Sequence, residues 1–211
     1  DGTNVVEAAD FSTSYTIDTL TTTNDATING LTVGKGANAV ATNTVLGDNA
    51  LDAAVTGGNN VAVGAESLTT NTSGQSNTAV GSNALNANTT GSNLTGVGKS
   101  SLEDNTTGAN NTALGHQSLP TNTTGDNNTA LGFESMKDSL SADNNTAVGY
   151  QSLTNNTTGH SNTAVGSEAA DAITTGDENV AVGHGALDGT TTGNGNTAVG
   201  TDALGKSDYN A

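Results

Sequence analysis

Apolar and polar residues alternate in a short pattern that returns along most of this chain. In Asn145–Gly149 a threonine, an alanine and a valine alternate, and Ser152 and Leu153 follow. Alternation of good strand formers with a period of two predicts a short β-strand. The glycine that closes each copy is taken as position 0. It recurs every 17 residues, at Gly47, Gly64, Gly81, Gly98, Gly115, Gly132, Gly149, Gly166, Gly183 and Gly200.

A fixed period without insertion or deletion is typical of stacked supersecondary units. Position −1 is Val or Leu in all ten copies, and position +4 is Leu except at Met136 and Ala170. Asn, Gly and β-branched residues dominate each unit, which disfavours helix. The pattern therefore predicts an all-β protein, a parallel β-solenoid or β-roll of ten 17-residue coils.

The first residues of the chain lie outside this period. Ala26–Ile28 predicts a short strand that leads into an Asn-Gly turn. Leu31–Gly34 predicts a shorter first coil, because Gly34 precedes Gly47 by only 13 residues. We interpret residues 1–30 as a capping or connecting segment and residues 31–211 as the β-solenoid repeat domain.

The large apolar residues that recur in every unit are expected to form the core of each coil. At position −1 they are Val63, Val80, Val97, Leu114, Leu131, Val148, Val165, Val182 and Val199. At position +4 they are Leu68, Leu85, Leu102, Leu119, Leu153, Leu187 and Leu204. The small residue at −2 would let strands of neighbouring chains approach closely. It is therefore expected at a subunit interface, through Ala79, Ala113, Ala130, Ala147 and Ala164.

Composition adds two constraints on function. Leu, Ile, Val and Phe number only 35 of 211 residues, and the net charge is −17. This composition alone would favour a disordered chain. A disordered chain has no need of a fixed period, however, so the repeat argues against disorder. The only cations are Lys35, Lys99, Lys137 and Lys206, too few and too scattered to bind nucleic acid. No apolar run approaches the length of a membrane span, so we expect no membrane insertion.

The sequence offers little catalytic chemistry. Its three histidines have no triad partner or metal-ligand spacing beside them, so we expect no enzyme activity and no cofactor. Position +1 is more informative, because His116, Phe133 and Tyr150 occupy it in three successive units and His184 occupies it again two units later. These residues are the candidate surface recognition column. The alternative is that the rings only pack on each other or fill a groove between subunits.

The repeat resembles those of known fibrous proteins. Asn60–Gly64 and Asn179–Gly183 resemble the core of head repeats in trimeric autotransporter adhesins. Asn145–Gly159 is still more similar to repeats of bacteriophage tail fibres, which carry Asn-Thr-Ala-Val-Gly-x-x-(Ala/Ser)-Leu followed by Asn-Thr-Thr-Gly. The resemblance covers residues 28–204 and implies a left-handed solenoid in an intertwined or side-by-side homotrimer. The 17-residue unit is longer than the usual adhesin-head coil.

These observations together predict a structural fibre segment of a virion appendage that contributes to attachment to a host surface. The partners would be further copies of the chain and a host-surface glycan or protein, with a virion, extracellular or cell-surface location. A bacterial surface adhesin head and a self-assembling extracellular filament subunit are the alternatives. An ice-binding solenoid is a remote one, since Thr recurs at −3, +8 and +9, although the last two are adjacent in a turn.

Overall fold

The computed structural model describes residues 26–28 and 31–205. Strands β1 (Ala26–Ile28) and β2 (Leu31–Gly34) precede a short 3₁₀ helix, Ala37–Ala39. Ten strands of three residues follow, and all twelve strands form one sheet in sequence order. The ten are β3 (Thr44–Leu46), β4 (Val61–Val63), β5 (Thr78–Val80), β6 (Thr95–Val97), β7 (Thr112–Leu114), β8 (Thr129–Leu131), β9 (Thr146–Val148), β10 (Thr163–Val165), β11 (Val180–Val182) and β12 (Thr197–Val199).

The ten strands from β3 to β12 pair in parallel, each with the strand 17 residues further along. Thr78 pairs with Thr95, for example, and Thr95 with Thr112. The predicted all-β parallel solenoid with a 17-residue repeat is therefore confirmed for the single chain. At the usual inter-strand spacing the ten rungs form a stack about 43 Å long. Handedness and the trimer stay predictions.

The predicted shorter first coil is wrong. β2 runs antiparallel to β3, with Val33 opposite Leu46 and Gly34 opposite Val45. Thirteen residues are too few for a full coil, so the chain reverses direction and lies along the edge of the stack instead. β1 confirms the predicted strand and pairs antiparallel with β2. The Asn-Gly turn, the rest of the capping or connecting segment (residues 1–25) and residues 206–211 lie outside the described residues.

Backbone hydrogen bonds join neighbouring coils around the whole perimeter, not only along the sheet. The amides of Thr95, Leu102 and Thr106 donate to the carbonyls of Asn111 (3.0 Å), Ser118 (3.1 Å) and Thr123 (2.9 Å) in the next coil. Since buried backbone groups need partners, one inserted residue would leave many of these groups unpaired. This requirement explains the unbroken period.

The leucines at +4 form the apolar core of the stack. Leu68, Leu85, Leu102, Leu119 and Leu153 have no exposed surface, and Leu187 is 2% exposed. Met136 and Ala170 occupy the same place in their coils and are also buried. Leu204 differs, with 61% of its surface exposed, because it lies in the last described coil.

The expectations for positions −1 and −2 are both wrong, because the strand presents its opposite face to the interior. Every alanine predicted at a subunit interface is completely buried in its own coil: Ala79, Ala113, Ala130, Ala147 and Ala164. None of the side chains predicted for the core at −1 is buried. Val63, Val80, Val97, Leu131 and Val148 are half-buried, and Leu114, Val165, Val182 and Val199 are exposed.

The physical reason for this arrangement is the narrow interior of the coil. Gly96 occupies −2 in its coil, and a Cβ built there would lie 3.1 Å from Oγ of Ser101 and 3.3 Å from Cγ of Leu85. Leucine at +4 therefore fills most of the coil, and position −2 is Ala or Gly in nine coils, with the buried Val45 of the first rung as the exception. Because side chains alternate along a strand, −1 and −3 must point outward.

Two ladders of buried asparagines also line the interior. At −4, the Asn128 amide N–H donates to Oδ1 of Asn111 (2.8 Å), and its Nδ2 donates to the carbonyl of Ala142 (2.7 Å). At +7, Nδ2 of Asn105 donates to Oδ1 of Asn88 and to the carbonyl of Gly108, both at 3.0 Å. A coil too narrow for a large apolar core is thus stabilised by hydrogen bonds that repeat in most rungs, with exceptions such as Leu94 at −4 and Ile173 at +7.

Each coil has two corners at which glycine recurs, at positions 0 and +10, and the two have different physical causes. At position 0, Gly98 has φ +133°, a conformation that side chains rarely permit, and its Cα also lies against the backbone of Gly115. At +10, Gly108 lacks a positive φ, but a Cβ there would overlap the carbonyl oxygen of Gly125 in the next coil and would lie 2.7 Å from Oδ1 of Asn105. The first corner requires glycine for its backbone angle, and the second requires it for lack of space.

Candidate recognition surface

The three aromatic residues at +1 form one stack on the outer surface. Position +1 follows the glycine corner, where the chain leaves the sheet and the side chain points to solvent. The ring centroids of His116 and Phe133 are 5.4 Å apart with an interplanar angle of 11°. Those of Phe133 and Tyr150 are 5.5 Å apart with an angle of 7°. Phe133 is 41% exposed and Tyr150 is 48% exposed, so neither ring is covered by the chain itself.

The face-to-face geometry limits what the column can contact. Both faces of the Phe133 ring are occupied by its neighbours, so only its edge is available to a ligand. The outer ring faces of the stack belong to His116 and Tyr150, and the neighbouring +1 residues there are Lys99 and Ser167, which have no ring. A flat partner could therefore extend the stack at either end but could not lie on its middle.

A row of polar residues at +2 runs beside the aromatic stack. Nε2 of Gln151 donates to Oε2 of Glu134 at 2.8 Å, and Nζ of Lys137 lies 3.3 Å from Oε1 of the same carboxylate. The hydrogen bond from Gln151, and next the bond and charge of Lys137, hold the pKa of Glu134 below its usual value despite some burial. The carboxylate is thus anionic and fixed in place next to Phe133.

His184, the fourth predicted member of the column, does not touch the other three. It occupies +1 two rungs beyond Tyr150, and Ser167 lies between them. Its Nδ1 lies 3.7 Å from Oδ1 of Asp202 in the following coil. The predicted column therefore consists of a stack of three rings, a gap and one further ring.

Sequence reasoning missed the role of the acidic residues at +11. Oδ1 of Asp126 accepts the backbone N–H of Ala109 (2.7 Å), and Oδ1 of Asp143 accepts that of Asp126 (2.7 Å). Asp177 does the same for His160 at 2.8 Å. These carboxylates complete the hydrogen bonding of the preceding coil. The signal was present, since Ser, Asp and Asn recur at +11, but it was hidden by the high acidic content.

The sequence-based prediction does not identify the outer face of the sheet as a surface, because it assigns the −1 side chains of that face to the core. It consists of the residues at −3 and −1, which are Thr, Val or Leu in all ten coils. Positions −4 to 0 contain no charged residue in any coil, although the chain has 21 acidic and 4 basic residues. The face is therefore a straight uncharged strip with an exposed apolar column.

A cavity of about 470 Å³ opens on another side of the stack, and its lining includes Ala172 and Gly189, two small residues at +6 in neighbouring coils. Asp138, Asn155 and Asp171 contribute polar groups to its lining. Among residues 26–28 and 31–205, no three His, Cys, Asp or Glu side chains are grouped so that they could hold a metal ion. The same part of the chain contains no helix long and apolar enough to cross a membrane.

Together these features define a parallel β-solenoid repeat protein with one aromatic surface column and one uncharged sheet face. Comparison with protein-family models, with curated proteins and with solved structures finds no match.

Proposed function

We propose that this chain is a structural fibre segment of a virion appendage, such as a tail fibre, and that it contributes to host-surface attachment without enzymatic activity. The observation that carries the proposal is the uncharged sheet face. It extends along all ten rungs of a rod whose neighbouring coils are joined by backbone hydrogen bonds. A fibre needs such a rod, and it needs a surface through which copies associate. The proposed location is the virion exterior.

Further copies of this chain are the occupant that fits the uncharged face. A net charge of −17 opposes close contact between copies everywhere except on a strip that has no charge. Leu114 is 49% exposed and Val199 is 69% exposed on this strip, so association would remove apolar surface from water. A second copy also repeats its side chains at the same rung spacing of about 4.8 Å. The proposed assembly is a side-by-side homotrimer.

Oligomeric mass, measured by light scattering and sedimentation, tests this assembly. Leu114→Lys combined with Leu131→Lys should convert the trimer to monomer, because two charges would then be buried in each copy. Ser82→Lys combined with Ser167→Lys is the matched control, since position +1 already accepts Lys99. A monomeric parent, or a trimer that survives the leucine substitutions, would contradict the proposal.

Attachment is assigned to the aromatic column. Phe133→Ser combined with Tyr150→Ser should reduce adherence of the labelled protein to bacterial strains that the parent binds, and should leave the fold intact. Leu140→Ser is the control, because Leu140 is 49% exposed on a different side of the coil. Equal adherence of parent and double variant would rule out the column as the contact.

The alternatives use the same surfaces. A bacterial adhesin head would share both the trimer and the column. A self-assembling filament subunit would stack coils end to end, and electron microscopy would show indefinite fibres instead of short rods. Ice binding gains one supporting observation, because threonines at −3, such as Thr112 and Thr129, lie in register on the outer face. A thermal-hysteresis assay tests it directly.

A further inference from the structure

The aromatic column is interrupted at one rung, and the interruption has the thickness of one ring. Tyr150 ends the three-ring stack, Ser167 follows at the same position, and His184 comes next. We infer that the gap above Ser167, between the rings of Tyr150 and His184, is a binding slot for a single uncharged pyranose ring of a glycan. This inference rests on the proposed attachment function for its biological role.

Backbone hydrogen bonds hold the walls of the slot in register. The amide of Glu168 donates to the carbonyl of Tyr150 (2.8 Å), and that of Gly185 donates to the carbonyl of Ser167 (3.1 Å). Two rungs separate Tyr150 from His184, which corresponds to about 9.6 Å. A ring placed midway lies about 4.8 Å from each wall, which is within the centroid separation of about 4.5–7 Å found for packed aromatic pairs, so the gap has room for one group of ring thickness. The slot therefore accepts one ring.

The rim of the slot carries hydrogen-bond acceptors. Glu168 follows Ser167 directly, and within the described residues no side-chain partner of its carboxylate is seen. Gly185 contributes no side chain, and Oδ1 of Asp202 lies only 2.6 Å from the place where its Cβ would be. Asp202 belongs to the coil beyond His184, so its carboxylate, with Oδ1 3.7 Å from Nδ1, contacts the His184 wall and is not part of the rim.

This combination favours a sugar over a planar aromatic ligand. The faces of a pyranose are made of C–H groups, which suit the ring walls, and its rim carries hydroxyl donors, which suit carboxylate acceptors. The carboxylate of Glu168, next to Ser167, and a net charge of −17 would repel acidic sugars. One ring with few contacts predicts a dissociation constant on the order of 1 mM.

Saturation-transfer NMR on the intact parent protein tests the slot. The probes are the methyl glycosides of glucose, galactose, mannose and N-acetylglucosamine, with N-acetylneuraminic acid and phenol for comparison. We expect at least one uncharged pyranoside to bind, and neither comparison compound to bind as well. Binding of no uncharged pyranoside, or preferential binding of phenol or of the acidic sugar, overturns the inference.

Ser167→Phe fills the slot with a ring, and its matched control places the same ring outside it. Phe133 shows that position +1 accepts phenylalanine, so the variant should fold with a continuous column. It should lose pyranoside binding at least tenfold. Thr201→Phe, on the far side of His184, should bind as the parent does. Retained binding in a Ser167→Phe variant whose thermal unfolding matches the parent overturns the slot.

The two proposals can fail separately. If Ser167→Phe loses pyranoside binding but adheres to cells as the parent does, the slot stands and attachment through it fails. If no pyranoside binds, while Phe133→Ser with Tyr150→Ser abolishes adherence, the slot is wrong and attachment through the column stands.

Discussion

Leu114 and Leu119 lie five residues apart in the same coil and point to opposite sides of its wall. Leu119 has no exposed surface, whereas Leu114 is 49% exposed. The first fills the interior at +4, and the second stands on the outer sheet face at −1. Two residues of one type in one unit thus have different roles, one in folding and the other in the proposed assembly.

Alanine substitution of these two leucines should give very different losses of stability. Leu119→Ala removes a buried side chain and should cost about 2–5 kcal/mol in the free energy of unfolding. Leu114→Ala should cost less than about 1 kcal/mol in the monomer. Denaturant unfolding at a concentration where the chain is monomeric provides the measurement. Similar losses for both variants would contradict the assignment of the two faces.

Register is the second property to test. Deleting Asn128 should disrupt the fold, because its amide N–H, Nδ2 and Oδ1 bond to the coils before and after it. Replacing the half-exposed Ser167 by Thr should leave thermal stability nearly unchanged. Circular dichroism melting curves compare the two variants. Equal melting temperatures would mean that the ladders do not determine the period.

Ser139 and Ala142 should be energetically coupled. Ser139 replaces the +7 asparagine in the one described coil where alanine replaces glycine at +10, and its Oγ is buried without a hydrogen-bond partner in the part of the chain that is described. In another coil, Oδ1 of Asn156 lies 2.5 Å from the place of a Cβ on Gly159. Ser139→Asn alone should therefore destabilise the chain by about 1–3 kcal/mol through overpacking.

The double variant should reverse this effect. Adding Ala142→Gly makes room for the side-chain amide that Ser139→Asn introduces. This amide would then connect the two segments of the +7 ladder that contain Asn122 and Asn156. A double-mutant cycle of unfolding free energies should show a coupling above about 1 kcal/mol. Additive effects of the two substitutions would show that the steric explanation is incorrect.

Glu134 should stabilise the fold in a pH-dependent way. Its pKa is lowered, mainly by the hydrogen bond from Gln151. The carboxyl group of Glu134 therefore binds a proton less tightly in the folded state than in the unfolded chain. The stabilisation is therefore present above the unfolded pKa of about 4.3 and is lost as the pH falls through the folded value.

Glu134→Gln measures that contribution. It should lower the unfolding free energy at pH 7 by about 0.2–1 kcal/mol, the range for solvent-screened pairs, and should have no effect at low pH. Gln151→Leu removes the donor and should reduce the pH-dependent part. A Glu134→Gln effect that is constant from pH 7 to pH 2.5 would contradict this account.

Much of the architecture could be predicted from periodicity. The 17-residue phase between glycines such as Gly98 and Gly115 requires stacked coils, because a register that repeats without error is needed only where each unit bonds to the next. Alternation around Ala113 likewise predicts a strand. Periodicity also predicts that His116, Phe133 and Tyr150 lie next to each other, because residues at the same position in consecutive coils are one rung apart.

Only the tertiary structure decided which strand face points inward. Alternation separates Ala113 from Thr112 and Leu114, but it assigns neither set to the core, and hydrophobicity alone favoured the larger Leu114. The deciding quantity is the width of the coil, which Leu119 already fills, so that alanine fits and leucine does not. That width depends on left-handed turns such as the one at Leu119, with φ +50°, which composition does not reveal. The sequence by itself thus determined the repeat and its columns, whereas the three-dimensional path of the chain decided which columns are core and which are surface.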